Sequence, residues 1–283
     1  MKLENKINQI QIQNFITESG AHYPIINLSY QVFGPNLNTA PIVLVNHALT
    51  GNSQVIGEQG WWNDLIGESK TIDTLKYTVL AFNVPGNGYD GFGIENYQDF
   101  NARDIAQLFN QGIKVLQIAQ LFAIIGGSVG GGIAWEMVAL EPKITQHLIP
   151  IATDWKSTDW LIANCFLQEQ ILANSSKPIE DARIHAMLCY RTPASFSAKF
   201  QRTLNEELQM YNVESWLAHH GNKLQKRFQL SAYKMMNQLL KTIDITRGRD
   251  SFEAVASTIE AHIHIIGIDS DLFFTANENR ATY

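Results

Sequence analysis

The sequence is poor in the features that define several protein classes. It has only two cysteines, Cys165 and Cys189, and their separation fits neither a metal motif nor a disulfide framework. We therefore expect two reduced, buried thiols and no metal site. No apolar run approaches the roughly 20 residues of a membrane-spanning helix, and the polar segment Met1–Lys6 lacks the apolar stretch of a signal peptide. The expectation is a cytoplasmic protein without a membrane partner.

Positive charge is also scarce. The chain has 21 Lys and Arg against 27 Asp and Glu, which gives a formal net charge of −6. Nucleic acids and anionic membranes favour a basic surface, so neither is an expected partner. The 283 residues, 45% of them hydrophobic, are enough for one large core, with or without an insertion.

Short apolar runs predict a mainly parallel sheet. Apolar and polar residues alternate before and after a turn at 18–21, which predicts a β-hairpin over 10–16 and 26–32. Continuous apolar runs predict strands buried on both faces at 42–45, 77–82, 121–125, 148–152 and 263–267. Helical patterns at 104–116 and 129–140 alternate with these strands, which is typical of a doubly wound α/β fold.

The alternation stops between residues 154 and 246. This stretch contains successive helical patterns at 158–173, 179–190 and 230–240, and no convincing strand. We interpret it as a helical lid inserted over the sheet, with residues 1–153 and 247–283 forming the core. A purely structural role for the insertion is the alternative.

Gly126-Gly127-Ser128-Val129-Gly130 follows a predicted buried strand and opens a predicted helix. This is the context of the G-x-S-x-G turn that presents a nucleophilic serine in α/β-hydrolase folds. The alternatives are a tight β–α turn or a phosphate loop, but a phosphate loop requires a Gly-Lys-Ser/Thr ending that is missing here. The sequence therefore favours Ser128 as a nucleophile.

Two loops supply further candidates. The segment 46–51 follows the strand at 42–45, where this fold takes the second amide of its oxyanion hole. His47 lies before the serine, and the chain order serine, acid, histidine makes it a loop-ordering residue and not the base. Asp269 and Asp271 follow the strand at 263–267, where the acid belongs. We prefer Asp271 because it lies farther past the strand end; a solvated loop carboxylate is the alternative.

Several segments together resemble the homoserine O-acetyltransferase family from about residue 40 onward. In chain order they are 47–51 (HALTG), 60–67 (GWWNDLIG), 83–88 (NVPGNG), the serine turn, 149–153 (IPIAT), Ala182-Arg183, Tyr190-Arg191-Thr192, 220–224 (HGNKL), Arg227-Phe228, 244–249 (DITRGR) and Asp269-Ser270-Asp271. The resemblance implies an α/β-hydrolase fold and transfer of an acetyl group from acetyl-CoA to the hydroxyl of homoserine, in methionine synthesis. It also implies a ping-pong serine acyl-enzyme mechanism, no cofactor beyond the acyl-CoA substrate, and a homodimer packed through the insertion.

The same resemblance assigns the site residues. Ser128 becomes the acylated nucleophile and Asp271 the acid. The remaining roles are oxyanion-hole amides for Leu49 and Val129, a carboxylate-binding guanidinium for Arg183, and weaker places in the acceptor pocket for Tyr190 and Thr50. Without the resemblance, Arg183 would be interpreted as a surface cation of a helix.

The chain departs from the family pattern at its histidines. The family's catalytic histidine should follow the acid, but none of the eight histidines comes after Asp271. We therefore expect a chain truncated before the last strand and helix of the core, and impaired in catalysis. An esterase of the same fold and a catalytically inactive binding protein are the alternatives. The sequence does not decide whether the transferred acyl group is acetyl or succinyl. It also leaves open whether the acceptor is homoserine or serine.

Overall fold

A seven-stranded sheet forms the centre of the computed structural model, which describes residues 6–283. The strand order is β1-β2-β6-β3-β7-β8-β11, and two small two-stranded sheets pair β4 with β5 and β9 with β10. The strands are β1 Asn8–Ile16, β2 His22–Phe33, β3 Ile42–Asn46, β4 Ile66–Gly67, β5 Ile72–Asp73, β6 Thr78–Phe82, β7 Leu121–Gly127, β8 Thr145–Ile151, β9 Leu204–Asn205, β10 Met210–Tyr211 and β11 His262–Ile263.

Helices cover both faces of this sheet and form the insertion. They are α1 Ala102–Val115, α2 Val129–Leu140, α3 Asp159–Asn174, α4 Pro178–Cys189, α5 Pro193–Phe200, α6 Asn212–Gln225, α7 Leu230–Lys241, α8 Phe252–Ala256 and α9 Ala276–Thr282, with one 3₁₀ turn at Tyr97–Asp99. Across the described part of the chain, no helix combines the length and apolarity required to cross a membrane.

The predicted hairpin and parallel strands are confirmed. β1 and β2 pair antiparallel, whereas β6, β3, β7, β8 and β11 pair in parallel. All residues of β3 and β6 are buried, because helices cover both faces of these central strands. The predicted strand at 263–267 is regular only at His262–Ile263, and an isolated bridge from Ile151 to Ile266 continues the pairing.

The insertion contains the predicted helices, but the expectation of no strand within it is wrong. The two-residue strands β9 and β10 form a small hairpin, too short for a sequence pattern to reveal. The last inserted helix, α7, joins the main core through Met236 and Leu239, which are fully buried. Gly132 of α2 leaves room for Ile243 just beyond α7: a Cβ at Gly132 would lie 2.2 Å from Ile243 Cδ1. The boundaries 154 and 246 stay a prediction.

A buried ion network joins the core to the segment after the insertion. The Arg103 guanidinium of α1 donates to Glu136 Oε2 of α2 and to Glu18 Oε1, both at 3.0 Å. It also donates to the carbonyl oxygens of Asp244 and Arg247. One side chain therefore binds two carboxylates and two carbonyl oxygens. Because both carbonyls belong to the segment 244–249 (DITRGR), Arg103 fixes this segment against the core.

Arg103→Met should lower the free energy of unfolding by about 3–5 kcal/mol, because it leaves the buried Glu136 carboxylate without its counter-charge. Urea unfolding at neutral pH measures this loss. The double variant Arg103→Met/Glu136→Leu should recover a substantial part of it, since both charges are then removed together. Equal destabilisation of the single and double variants would contradict the assignment of the loss to an uncompensated charge.

Candidate active site

Ser128 occupies a sharp turn between β7 and α2. Its backbone angles are φ 53° and ψ −128°, a region that non-glycine residues rarely adopt and that costs of order 1–3 kcal/mol. Its amide donates to the Ile151 carbonyl oxygen at 3.0 Å, and its carbonyl accepts from the amides of Gly131 and Gly132. The strained turn is thus held from both sides by main-chain hydrogen bonds.

The flanking glycines are required by close backbone approach. A Cβ at Gly126 would lie 2.4 Å from the Gly130 carbonyl oxygen, and a Cβ at Gly130 would lie 2.4 Å from the carbonyl oxygen of Asn46. Gly131 is similarly confined, because its Cβ would lie 2.3 Å from Thr153 Cγ2. The glycine run therefore lets α2 begin directly against the end of β3.

A cavity of about 230 Å³ opens beside Ser128. Its lining comes from the strand ends, the insertion and the segment after β11: Ser128, Ala152, Cys189, Tyr190, Ile268, Ser270, Asp271, Phe273 and Phe274. Ala152, like Ser128, has a positive φ, of 46°. Two strained non-glycine residues at one cavity favour a functional site. The structure thus brings Ser128, Asp271 and Tyr190 together, as the sequence predicts.

Asp271 is tied to the loop that carries it. Its Oδ1 accepts hydrogen bonds from the amides of Phe273 at 2.7 Å and Phe274 at 3.0 Å. Burial raises the pKa of its carboxyl, and these two amides oppose the rise. Among residues 6–283, Oδ2 has no hydrogen-bond partner. Asp269, by contrast, is exposed and pairs with Arg280 at 3.0 Å. The geometry therefore supports the preference for Asp271 over Asp269.

The Leu49 and Val129 amides are the candidate oxyanion-hole donors. Leu49 lies in the turn closed by the hydrogen bond from the Gly51 amide to the Ala48 carbonyl oxygen. Val129 is the first residue of α2, so its amide belongs to those left free at a helix N-terminus. Within the described residues, neither amide donates a hydrogen bond. The helix dipole also favours negative charge at this end of α2.

His47 is buried, at 1% exposure, and begins the segment 47–51, here called the oxyanion loop because it carries Leu49. Its Nδ1 lies 2.9 Å from the Ala48 carbonyl oxygen, and its Nε2 accepts from the Val84 amide at 3.1 Å and contacts Asn87 Nδ2 at 3.2 Å. Burial lowers the pKa of His47 to about 4. Both ring nitrogens are engaged away from Ser128, which supports a loop-ordering role.

No histidine reaches the cavity. All eight histidines lie between His22 and His264 in the described chain, and none of them lines the space beside Ser128 and Asp271. His264, the last of them, instead contacts His147 Nδ1 at 3.2 Å, on the strand edge. The free Oδ2 of Asp271 therefore has no imidazole to orient.

Arg183 lies on α4, near the cavity but not in its lining. Its guanidinium carbon is 5.4 Å from the centre of the Tyr190 ring, and Tyr190 lines the cavity. Thr50 adjoins Leu49 in the oxyanion loop, and its carbonyl oxygen accepts from Arg227 Nη1 at 3.1 Å. Of the predicted acceptor-pocket residues, Tyr190 therefore lines the cavity, Arg183 contacts the Tyr190 ring, and Thr50 contacts Arg227.

Comparison with known proteins agrees with the fold and the family resemblance described above. A family profile described as “alpha/beta hydrolase fold” matches residues 41–181. The chain is 31% identical to the homoserine O-acetyltransferase of Symbiobacterium thermophilum over 94% of its own length and 81% of that protein. The chain belongs to the homoserine O-acetyltransferase family. It is therefore a member of a family of enzymes, and its fold is the α/β-hydrolase fold that the sequence predicts.

Solved structures agree with this membership. The crystal structure of homoserine O-acetyltransferase from Staphylococcus aureus superposes with a TM-score of 0.85 and 26% identity, covering 98% of this chain and 84% of that one. An acetylester hydrolase from Corynebacterium glutamicum superposes with a TM-score of 0.81, at 19% identity over 98% of this chain and 84% of that one. The second likeness concerns the fold alone.

Sequence reasoning missed part of the cavity wall and one contact at its mouth. Cys189, Phe273 and Phe274 line the cavity. The two phenylalanines lie two and three residues after Asp271, so the motif itself was the available signal. Arg227 stood inside a segment shared with the family, but no local pattern connects it with Thr50, which lies 177 residues away.

Gly130→Ala should lower the free energy of unfolding by about 1–3 kcal/mol, because the new methyl group meets the Asn46 carbonyl oxygen and overpacks the turn. Helix propensity alone would predict a gain of about 1 kcal/mol. Gly127→Ala is the matched control, since its Cβ would lie 3.8 Å from the Ile151 carbonyl oxygen, an ordinary contact. Urea unfolding of both variants decides the matter, and equal stability would refute the packing argument.

His47 should make the protein less stable in weak acid. Its pKa is about 4 in the folded state and about 6.5 in the unfolded chain. The unfolded state therefore binds more protons between these values, and stability falls as pH drops from 6.5 to 4. The loss attributable to His47 is about 3 kcal/mol at 1.36 kcal/mol for each pKa unit. The stability difference between the native chain and His47→Gln should shrink over this range; a constant difference would contradict the assignment.

Proposed function

We propose that the chain transfers an acetyl group from acetyl-CoA to the hydroxyl of L-homoserine, a step of methionine biosynthesis. The observation that carries this proposal is the strained Ser128 turn, which shares a cavity with the Asp271 carboxylate in a member of the homoserine O-acetyltransferase family. The Leu49 and Val129 amides, which donate no hydrogen bond within residues 6–283, are the oxyanion-hole donors that the proposal requires.

The reaction proceeds through an acyl-enzyme. Ser128 Oγ attacks the thioester carbonyl carbon while its proton passes to a base, and the Leu49 and Val129 amides stabilise the negative oxygen. Collapse of the intermediate breaks the carbon–sulfur bond, and CoA leaves as the thiol after the base returns the proton. The homoserine hydroxyl then loses its proton to the base, attacks the acetyl carbon and releases Ser128 Oγ, which is reprotonated.

The base is the incomplete element. Asp271 Oδ2 is free to orient an imidazole and to stabilise its charged form, but none of the chain's histidines lines the cavity. We therefore propose that the 283-residue chain alone is strongly impaired. In well-studied serine enzymes, loss of one member of the triad leaves only about 1,000- to 10,000-fold catalysis over water.

The acceptor site and the insertion complete the proposal. Arg183 suits the homoserine carboxylate, because a planar guanidinium binds a carboxylate through two parallel hydrogen bonds. The helices over the cavity exclude water from the acyl-enzyme, which a transferase requires. The insertion also exposes Leu204 at 61% and Leu208 at 55%, which supports the proposal of a homodimer packed through it.

Added imidazole should restore homoserine-dependent release of CoA from acetyl-CoA. The cavity beside Asp271 accommodates a small heterocycle, and a positioned general base contributes at least on the order of 100-fold. The rate should saturate with imidazole, vanish in Ser128→Ala and respond weakly in Asp271→Asn. The assay measures CoA thiol together with O-acetylhomoserine.

The alternative outcomes are distinct. Equal CoA release without homoserine would identify an esterase of the same fold. Failure of Ser128 to become acetylated in the presence of imidazole, detected by intact-protein mass spectrometry, would identify a catalytically inactive binding protein. Full activity without imidazole would show that a base other than an added imidazole serves the site.

A further inference from the structure

Three histidines lie side by side at the edge of the central sheet. His262 and His264 are separated by one residue at the end of β11, so their side chains point to the same face. His147 lies on the neighbouring strand β8, and the parallel register places it opposite His262. The ring centres of His262 and His264 lie 5.5 and 5.3 Å from that of His147. Two adjacent strands therefore present three imidazoles to one region of solvent.

Two of these imidazoles are already in contact. His147 Nδ1 and His264 Nε2 are 3.2 Å apart. Two nitrogens at this separation, each at the roughly 2.05 Å of a zinc–imidazole bond, subtend about 100° at the ion, which is close to the tetrahedral angle. A small reorientation of both rings therefore lets one metal ion replace the hydrogen bond between them.

His147 is the fixed member of the group. It is half-buried, and its ring packs edge-on against Phe122 of β7, with 5.1 Å between the ring centres. Phe122 in turn stacks on Tyr77 at 5.2 Å. Because packing on this side restricts the His147 rotamer, its Nδ1 is held toward His264.

The other two imidazoles are open to water. His262 and His264 are exposed, and the contact between His147 and His264 is the only hydrogen bond that the three side chains form in residues 6–283. In the same part of the chain, none of the ion pairs includes a histidine of this group. An ion can therefore reach the nitrogens without displacing a carboxylate.

The third ligand has to move. In the described side-chain positions, no group of three metal-binding residues is already arranged around one ion. His262 is the ligand to be recruited, because its exposed side chain is free to change rotamer. The expectation of no metal site rested on the spacing of the two cysteines, which carries no information about these histidines.

We propose that His147, His264 and His262 form a binding site for a transition-metal dication, with Zn²⁺ as the occupant. Imidazole nitrogen suits Zn²⁺, whereas Mg²⁺ and Ca²⁺ prefer oxygen ligands. His147 and His264 bind the ion first, His262 rotates to become the third ligand, and water completes a tetrahedral shell. The ion joins β8 to β11, whose regular pairing covers only His262 and Ile263. The site is independent of the acyl-transfer chemistry proposed above.

Calorimetry with the metal-free full chain tests the site. Zn²⁺ is titrated at neutral pH into the native chain and into His147→Gln, His264→Gln and His262→Gln. The matched control is His22→Gln, which removes an exposed histidine from β2 of the same sheet. Loss of an outer-shell partner alone costs 10- to 100-fold in metal affinity, so His147→Gln and His264→Gln should weaken zinc binding at least about 10-fold. His262→Gln should weaken it less, and His22→Gln should not.

Hydrogen exchange tests whether the ion bridges the two strands. The amides of His264 and Ile266 donate to the carbonyl oxygens of Leu148 and Pro150 on β8. Saturating Zn²⁺ should slow the exchange of these amides in the native chain and in His22→Gln, but not in His147→Gln. Zinc held by a single imidazole attaches to one strand only, so unchanged exchange rates in the native chain would overturn the bridging site.

The remaining outcomes are equally decisive. Equal zinc affinity in the native chain and in a folded His147→Gln/His264→Gln double variant would overturn the site, as would the absence of saturable binding to the native chain. A similar loss of affinity in His22→Gln would assign the binding to scattered surface histidines and would also overturn it. Thermal melting without metal establishes that each variant is folded. None of these measurements depends on acetyl transfer, so failure of the proposed function leaves their interpretation unchanged.

Discussion

The close approach of the start of α2 to the end of β3 is the constraint on which the site depends. Gly130 lies so near the Asn46 carbonyl oxygen that no side chain fits between them. This contact holds the start of α2, with the Val129 amide, against the end of β3, from which the loop that carries Leu49 continues. It also holds Ser128 in a backbone conformation that is unfavourable on its own, because hydrogen bonds to Ile151, Gly131 and Gly132 compensate the strain.

The polar groups around this turn divide into those that hold it and those that remain free. Both ring nitrogens of the buried, neutral His47 form hydrogen bonds with the main chain of the surrounding loops. The Arg103 guanidinium donates to two carboxylates and two carbonyl oxygens. Ser128 Oγ, Asp271 Oδ2 and the Leu49 and Val129 amides have no partner within the described residues. Of these groups, Ser128 and Asp271 line the same cavity, which is the arrangement expected of a candidate reactive site.

The insertion serves the core as well as the site. Its last helix, α7, contributes fully buried Met236 and Leu239 to the main core. This packing anchors the insertion to the core. The same insertion contributes Tyr190 to the cavity lining, and its Arg227 contacts the carbonyl oxygen of Thr50 in the core. One side-chain hydrogen bond therefore joins the insertion to the loop that follows β3.

The sequence by itself determined the sheet, its main helices and the Ser128 turn. Burial on both faces produces continuous apolar runs, and the glycines around Ser128 report backbone contacts that allow no side chain. These are local signals. The position of Asp271 at the cavity, the engagement of both His47 nitrogens and the contact of Arg227 with Thr50 became evident only in the tertiary structure. Each depends on where a side chain points after residues far apart in the chain have packed together, and neither residue spacing nor hydrophobic periodicity encodes that direction.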